Sequence, residues 1–352
     1  MKPAAPAKLR DVAREAEVSQ GTASNVFNRP HLVREEVRER VMKAADRLGY
    51  AGPSVNGRLL RAGRVNAVGI AAIEPLSYFF DDPWARNMLS EISKVCDKQG
   101  TGIALVSAIS DERVDWNIQS AVVDGFILLC VEGGERLVEI TQTRKVPYVA
   151  LAIGTEDSSI PAIGVDNIGG AKLAAEHLLA LGHSHFCILS TQVDEQRVGR
   201  VTQAEMSNAR YSTTRDRALG YWEALRSAGI STAETPIFAT LEDEQSTHKG
   251  LAEIFSDQDH PTAILAMSDK IAIWAIAWLT GHGFDVPGHV SIVGFDGVPE
   301  SATVTPRLTT VIQPAAEIAR LAVQAVLGDA FLGRHVMQGT LDVRDSTAPP
   351  RG

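Results

Sequence analysis

From Val65 onward, short apolar runs alternate with longer stretches of helical periodicity, and this alternation restricts the fold more than any other feature of the chain. Apolar runs at Val65–Ala72, Gly102–Ser107, Gly125–Val131, Val146–Ile153 and His185–Ser190 have strand length, and Ala85–Gln99 has the spacing of an amphipathic helix. Strand and helix in strict succession predict an α/β fold with parallel sheets covered on both faces. About 270 such residues exceed one comfortable sheet and suit two Rossmann-like lobes. No phosphate-binding glycine loop is present; Gly169-Gly170 reads as room for a helix to start close to its strand.

The first 64 residues are of another kind. They carry thirteen Lys and Arg against seven Asp and Glu, net +6, on a chain whose total is −9. A small basic head on an acidic body suits a protein that holds phosphates with one end. Within the head, Leu9, Val12, Ala13 and Ala16 recur at helical spacing, Val18 packs across a turn, and Ser19 stands as N-cap of a second helix that buries Ala23, Val26 and Phe27. Gln20, Gly21, Thr22, Ser24, Asn25 and Asn28 are left pointing outward, short and polar, as a helix entering a DNA major groove requires. A third helix is predicted from about Arg34 to Leu48, with Val37, Val41, Ala44, Ala45 and Leu48 inward and Gly49 as C-cap.

Other function classes find little support. Cys96, Cys130 and Cys187 are widely spaced in apolar surroundings and read as reduced core residues. The nine histidines are scattered, so neither a metal nor another cofactor is expected, and the chain does not read as an enzyme. Met1–Ala7 is Pro/Ala-rich with no apolar segment after it, and no run reaches the ~20 apolar residues of a membrane span, so a cytoplasmic protein is expected. A sugar-binding receptor or transport protein would suit the body, but not the basic head.

The segment after the third helix makes the pattern specific. Gly49-Tyr50, then Pro53 through Arg58 and Leu60, then a basic run into Val68-Gly69-Ile70, resembles the bacterial transcription regulators of the lactose-repressor (LacI/GalR) family. The likeness continues through Asp166-Asn167-Ile168-Gly169-Gly170, Leu181-Gly182-His183, Arg217-Ala218-Leu219-Gly220-Tyr221, Ser268-Asp269, Val293-Gly294-Phe295-Asp296 and Pro306-Arg307-Leu308-Thr309-Thr310, covering nearly the whole chain. It implies a three-helix head at 1–52, a hinge helix at 53–64, and a two-lobed effector-binding and dimerisation core at 65–352 of periplasmic-binding-protein type. The expected lobes are about 65–165 with 299–325, and 166–298 with 326–352.

The resemblance further implies a repressor role for a homodimer on palindromic double-stranded DNA, switched by a small molecule, sugar-like or a phosphorylated sugar, in the inter-lobe cleft. A nucleoside or purine is the alternative. By matching position Gln20, Gly21 and Asn25 read bases, Ser19, Thr22, Ser24 and Asn28 hold phosphates, and Leu60 wedges into the minor groove beside Arg58 and Arg61. Gly57 stands where the family commonly has alanine, which weakens helix propensity there by about 0.8–1.0 kcal/mol. Asn25 replaces a frequent arginine, which favours adenine over guanine. For the effector, the implied residues are Tyr78, Phe79, Phe80, Arg217, Ser268, Asp269 and Asp296, with Trp274 either a stacking wall or core filling. The polar stretch Thr191–Asp216, holding Arg197, Arg200, Arg210 and Arg215, reads as solvated loop or as a lid over an anionic effector.

Overall fold

The computed structural model describes residues 7–52, 64–109, 111–130, 132, 134–152, 160–256, 260–328 and 333–351. The hinge expectation, including Gly57, Arg58, Leu60 and Arg61, lies outside these residues. The chain divides into two compact units, Met1–Val65 and Asn66–Gly352.

In the first unit, α1 (Leu9–Glu15), α2 (Gln20–Asn28) and α3 (Glu35–Leu48) enclose a core of Val12, Ala13, Ala16, Ala23, Val26, Val41, Ala44 and Ala45. Small side chains at the contacts let the three helices approach closely. Leu9, Val18, Phe27 and Tyr50 pack against its margin, and Phe27 meets Tyr50 edge to face at 5.6 Å. Gly49 ends α3 in the left-handed conformation, φ +64°, where a Cβ would strain the backbone. At the other turn, Ser19 Oγ accepts from Thr22 N at 3.0 Å and so fixes where α2 begins. Ser19→Ala is expected to cost the head about 1 kcal/mol. Hydrogen exchange would show it as faster exchange along α2 with the body amides unchanged.

The second unit holds two sheets. The first has the order β12-β5-β4-β3-β1-β2, all parallel: β1 (Ala67–Ala72), β2 (Gly102–Ser107), β3 (Gly125–Leu129), β4 (Tyr148–Leu151), β5 (Ala162–Val165) and β12 (Arg334–Met337). The second has the order β13-β11-β10-β9-β6-β8-β7, built from β6 (Phe186–Ser190), β7 (Gly199–Val201), β8 (Ile237–Ala239), β9 (Ala263–Ala266), β10 (Ser291–Asp296), β11 (Thr309–Ile312) and β13 (Thr340–Asp342). Its edge strands β7 and β13 run antiparallel, and its interior is parallel. Central strands such as Gly125–Leu129 and Phe186–Ser190 are buried at every residue, because helices cover both faces.

The lobe boundaries differ from those expected. Thr309–Ile312 was assigned to the first lobe but pairs with Val293–Asp296 in the second. Conversely, Arg334–Met337 was assigned to the second lobe but extends the first sheet beside β5. The chain therefore crosses between lobes after Val165, after Ile312 and after Met337. The helix Ala315–Leu327 packs into the first lobe with Val68, Ile70, Ile127 and Val149.

Gly170 lets the helix Asn167–Ala180 lie close against the second sheet, since a Cβ there would come 2.9 Å from the Phe295 ring. Gly220, on the helix Ser212–Ser227, would meet the Ile168 carbonyl at 2.2 Å, so the two helices touch through their backbones.

Candidate functional site

The head presents one exposed polar face. Gln20, Gly21, Asn25 and Asn28 are exposed, while Thr22 and Ser24 are half-buried. Ser19 Oγ is engaged with Thr22 Oγ1 at 2.8 Å, and Asn28 Nδ2 donates to Ser24 Oγ at 3.1 Å. Among the described residues, the side chains of Gln20 and Asn25 make no hydrogen bond within the head, leaving their amides available to base edges.

The body's cleft encloses about 330 Å³, the size of a small ligand. Loops at the C-terminal ends of strands line it, as expected of open α/β sheets. From the first lobe come Glu74, Tyr78, Asp82, Trp84, Cys130 and Glu132; from the second come Gln192, Tyr211, Arg217, Glu242, Ser268 and Asp296. Lys270 and the crossover residue Gln313 also line it.

Arg217 is fully engaged in the cleft wall. Its Nε donates to Asn167 Oδ1 at 2.9 Å, its Nη1 to the Met267 carbonyl, and its Nη2 to Asp296 Oδ1 at 3.1 Å. The guanidinium lies 3.8 Å from the Phe295 ring centroid. Asp296, at φ +118°, also accepts from Gln313 Nε2 at 2.7 Å. Burial pushes its carboxyl up to about 6 against the opposing pull of Arg217. Glu242 is pushed up to about 7, first by burial and then by the neighbouring charge of Asp82. Glu74 is raised for the same two reasons in the same order.

Contacts between lobes border the cleft. Lys270 Nζ meets Asp82 Oδ2 at 3.1 Å, and Trp84 Nε1 donates to Gln313 Oε1 at 3.2 Å. Arg86 pairs with Glu300, and Glu132 accepts from both the backbone N–H and the hydroxyl of Ser212.

Comparison with known proteins decides what this assembly is. Residues 8–52 match the family model described as bacterial regulatory proteins, lacI family, and residues 175–347 match a periplasmic binding protein-like domain. An HTH-type transcriptional regulator of Mycobacterium tuberculosis is 33% identical, over 98% of this chain and 97% of its own. The chain belongs to the LacI family. Among solved structures, a transcriptional regulator CelR–cellobiose complex is 26% identical, covering 97% of this chain and 99% of its own, with a TM-score of 0.68. The lac repressor dimer bound to operator and the anti-inducer ONPF is 22% identical, covers 98% of this chain and 100% of its own, and shares the fold at a TM-score of 0.75. This LacI-family protein is thus a DNA-binding transcriptional regulator with an effector-binding body, not an enzyme.

Of the effector residues expected from sequence, Tyr78, Arg217, Ser268 and Asp296 line the cleft of this LacI-family body. Four others do not, and each for a visible reason. Phe79 is wholly buried in the first-lobe core, and Phe80 is 58% exposed. The three aromatics sit on one helical turn, Tyr78–Asp81, where consecutive side chains diverge by about 100° and only one faces the cleft. Asp269 is turned inward, accepting from Val298 N at 2.8 Å and from the Thr310 hydroxyl, because Ser268 already caps the helix Asp269–Gly281. Trp274 lies a turn further along that helix, outside the cleft lining, with the Lys270 ammonium 5.4 Å from its ring centroid.

The cleft also contains residues the sequence did not single out: Trp84 and Tyr211 among the aromatics, and Glu74, Asp82, Glu132 and Glu242 among the acids. The available signal was position, since Glu74 and Glu242 follow closely on the C-terminal ends of β1 and β8.

The lid expectation fails. Thr191–Asp216 is not an open loop but forms β7, the helix Gln203–Ser207 and the start of the helix Ser212–Ser227. Its arginines face acids of their own lobe: Arg197 meets Glu205 at 3.0 Å, Arg200 meets Glu253 at 2.8 Å and Arg210 meets Glu195 at 2.5 Å. Arg215 donates to the carbonyls of Ala209 and Arg210.

Proposed function

We propose that this regulator binds a palindromic operator as a homodimer, acts as a repressor, and is released or recruited by a small sugar-like molecule seated between its lobes. The observation that carries the effector half is the lining of the cleft. Tyr78, Trp84 and Tyr211 offer faces for a ring, while Asn167, Gln192, Ser268, Gln313 and the carboxylates offer partners for hydroxyls. Among the described residues that line the cleft, the five acids Glu74, Asp82, Glu132, Glu242 and Asp296 outnumber the two cations Arg217 and Lys270. That surplus repels a phosphate, so a phosphorylated sugar is not part of this reading. The relatives are consistent with it: a regulator in complex with cellobiose and a ribose operon repressor of Haemophilus influenzae, 27% identical, are among them.

For the DNA half, Gln20, Gly21 and Asn25 read base edges while Ser19, Thr22, Ser24 and Asn28 meet phosphates. Arg58, Leu60 and Arg61 of the hinge are assigned to the minor groove from the family resemblance alone. A dimer follows from the operator geometry, because one three-helix head makes too few contacts for specificity. A DNA partner also implies a cytoplasmic location.

Selection of genomic fragments by the purified full-length chain, at fixed physiological salt, tests the proposal. A recovered palindrome is the expected result, and Asn25→Ala is expected to weaken binding by about 1–3 kcal/mol at one base position while leaving nonspecific binding unchanged. Retention that depends on salt but not on sequence, with and without added sugars, would sink the operator assignment.

A further inference from the structure

The charged groups of the cleft divide into those already partnered and those not. Arg217 is held by Asn167, Met267 and Asp296, and Asp296 also by Gln313. Asp82 accepts from the backbone of Trp84 and Ala85 and pairs with Lys270; Glu132 holds Ser212. Among the described residues, the carboxylates of Glu74 and Glu242 receive no hydrogen bond, although both line the cavity and come from opposite lobes.

Glu242 is the deeper of the two. It lies just beyond the end of β8 with its backbone N–H tied to Thr240 Oγ1 at 3.2 Å, and its half-buried side chain shares the cleft wall with Asp82, Lys270, Asp296 and Arg217. Both neighbouring cations are already committed, Lys270 to Asp82 and Arg217 to Asp296. A ligand that displaces water from a carboxylate with no protein donor must itself supply hydrogen bonds and, to offset the acid surplus, positive charge. A metal ion is not the occupant the geometry favours: among the described residues no three acid, histidine or cysteine side chains converge to hold one. An ammonium, with three donors and one charge, meets both needs.

We propose that the effector carries a protonated amine, held by Glu242 from the second lobe and Glu74 from the first, and is therefore an amino sugar or an amino polyol of similar size. The inference rests on the reading of the cleft as the effector site. Because the two carboxylates belong to different lobes, the amine also draws the lobes together, coupling its own binding to closure. A neutral sugar leaves the surplus negative charge in place, and a phosphate adds to it.

The test is a thermal-shift titration of the full-length protein with D-glucosamine, D-galactosamine and D-mannosamine, each beside its parent hexose and that hexose's 6-phosphate. At least one amine is expected to bind at least tenfold more tightly than its parent hexose and than the phosphate. Glu242→Gln should remove that tenfold preference, whereas Glu176→Gln, on the outer surface, should keep it. An amine preference that survives Glu242→Gln overturns the assignment. A neutral hexose binding as well as its amine overturns the amine while leaving the effector cleft standing. No shift from any of the nine probes overturns both.

Discussion

Arg217→Ala is expected to destabilise the body by about 3–5 kcal/mol, the largest loss from any single change in the cleft. The side chain makes three hydrogen bonds, covers the Phe295 ring, and is the only cation in contact with Asp296 among the described residues. Removing it strands a buried carboxylate already pushed up to about 6, along with the Met267 carbonyl and the Asn167 amide. Much of the loss is the cost of the orphaned charge rather than the worth of the pair. Arg217→Ala combined with Asp296→Asn should therefore recover part of it. Urea denaturation of the single and double variants measures both, and a loss below 1 kcal/mol for the single variant would contradict this account of the wall.

Glu242→Gln should act in the opposite direction, making the ligand-free protein more stable by up to about 3 kcal/mol at pH 8. In the folded chain its carboxyl ionises at about 7 rather than 4.5, so folding disfavours the charged form. Between those values the unfolded chain loses its proton first, and stability falls as pH rises. Above about 7 the penalty is complete, and below 4.5 it is absent. The glutamine variant escapes it, so its advantage should be full at pH 8, small at pH 5 and gone at pH 4. Thermal melts at those three pH values check the sign. An advantage that does not grow with pH would mean that Glu242 is solvated and paired as well in the folded chain as in the unfolded one. The wild-type glutamate then represents stability given up for a binding group, a common trade at functional sites.

How far the sequence carried the fold depends on what each signal encodes. Helix ends were readable where a single side chain sets them: Ser19 caps α2 and Gly49 ends α3, as their chemistry requires. The five strands named from apolar runs were placed within a residue or two at each end, while the shorter strands of the second lobe and the late edge strands were not singled out. Which sheet a strand joins was not readable, because β11 and β12 carry the same local pattern whichever neighbour they pair with. In the site, Arg217 and Asp296 were accessible through the family pattern. Phe79 and Phe80 were misread because a run of aromatics does not say which one a helical turn aims inward. Asp269 was misread because its carboxylate is taken up inside the lobe by the Val298 N–H and the Thr310 hydroxyl. Glu74 and Glu242 drew no reading from sequence, since a carboxylate left without a protein donor is visible only in the folded arrangement.

The third crossing of the chain between lobes bears on how the protein is made. The first lobe's core includes Ile318, Ala319, Ala322, Val323 and Val326, and its sheet is closed at one edge by β12. A nascent chain that has passed Val165 must therefore wait for more than a third of its length before that lobe can finish. At ordinary rates of synthesis the delay is about ten to thirty seconds. The head, complete once α3 has emerged, has no such wait. Only two residues, Gln338 and Gly339, lie between the end of β12 and the start of β13, so the last strands of both lobes leave the ribosome almost together. A chain released before Met337 carries two unfinished sheets, with β5 and β11 both lacking a neighbour, and a head already able to touch DNA. Completion of the C-terminal segment thus separates a body with both sheets closed from an aggregation-prone one.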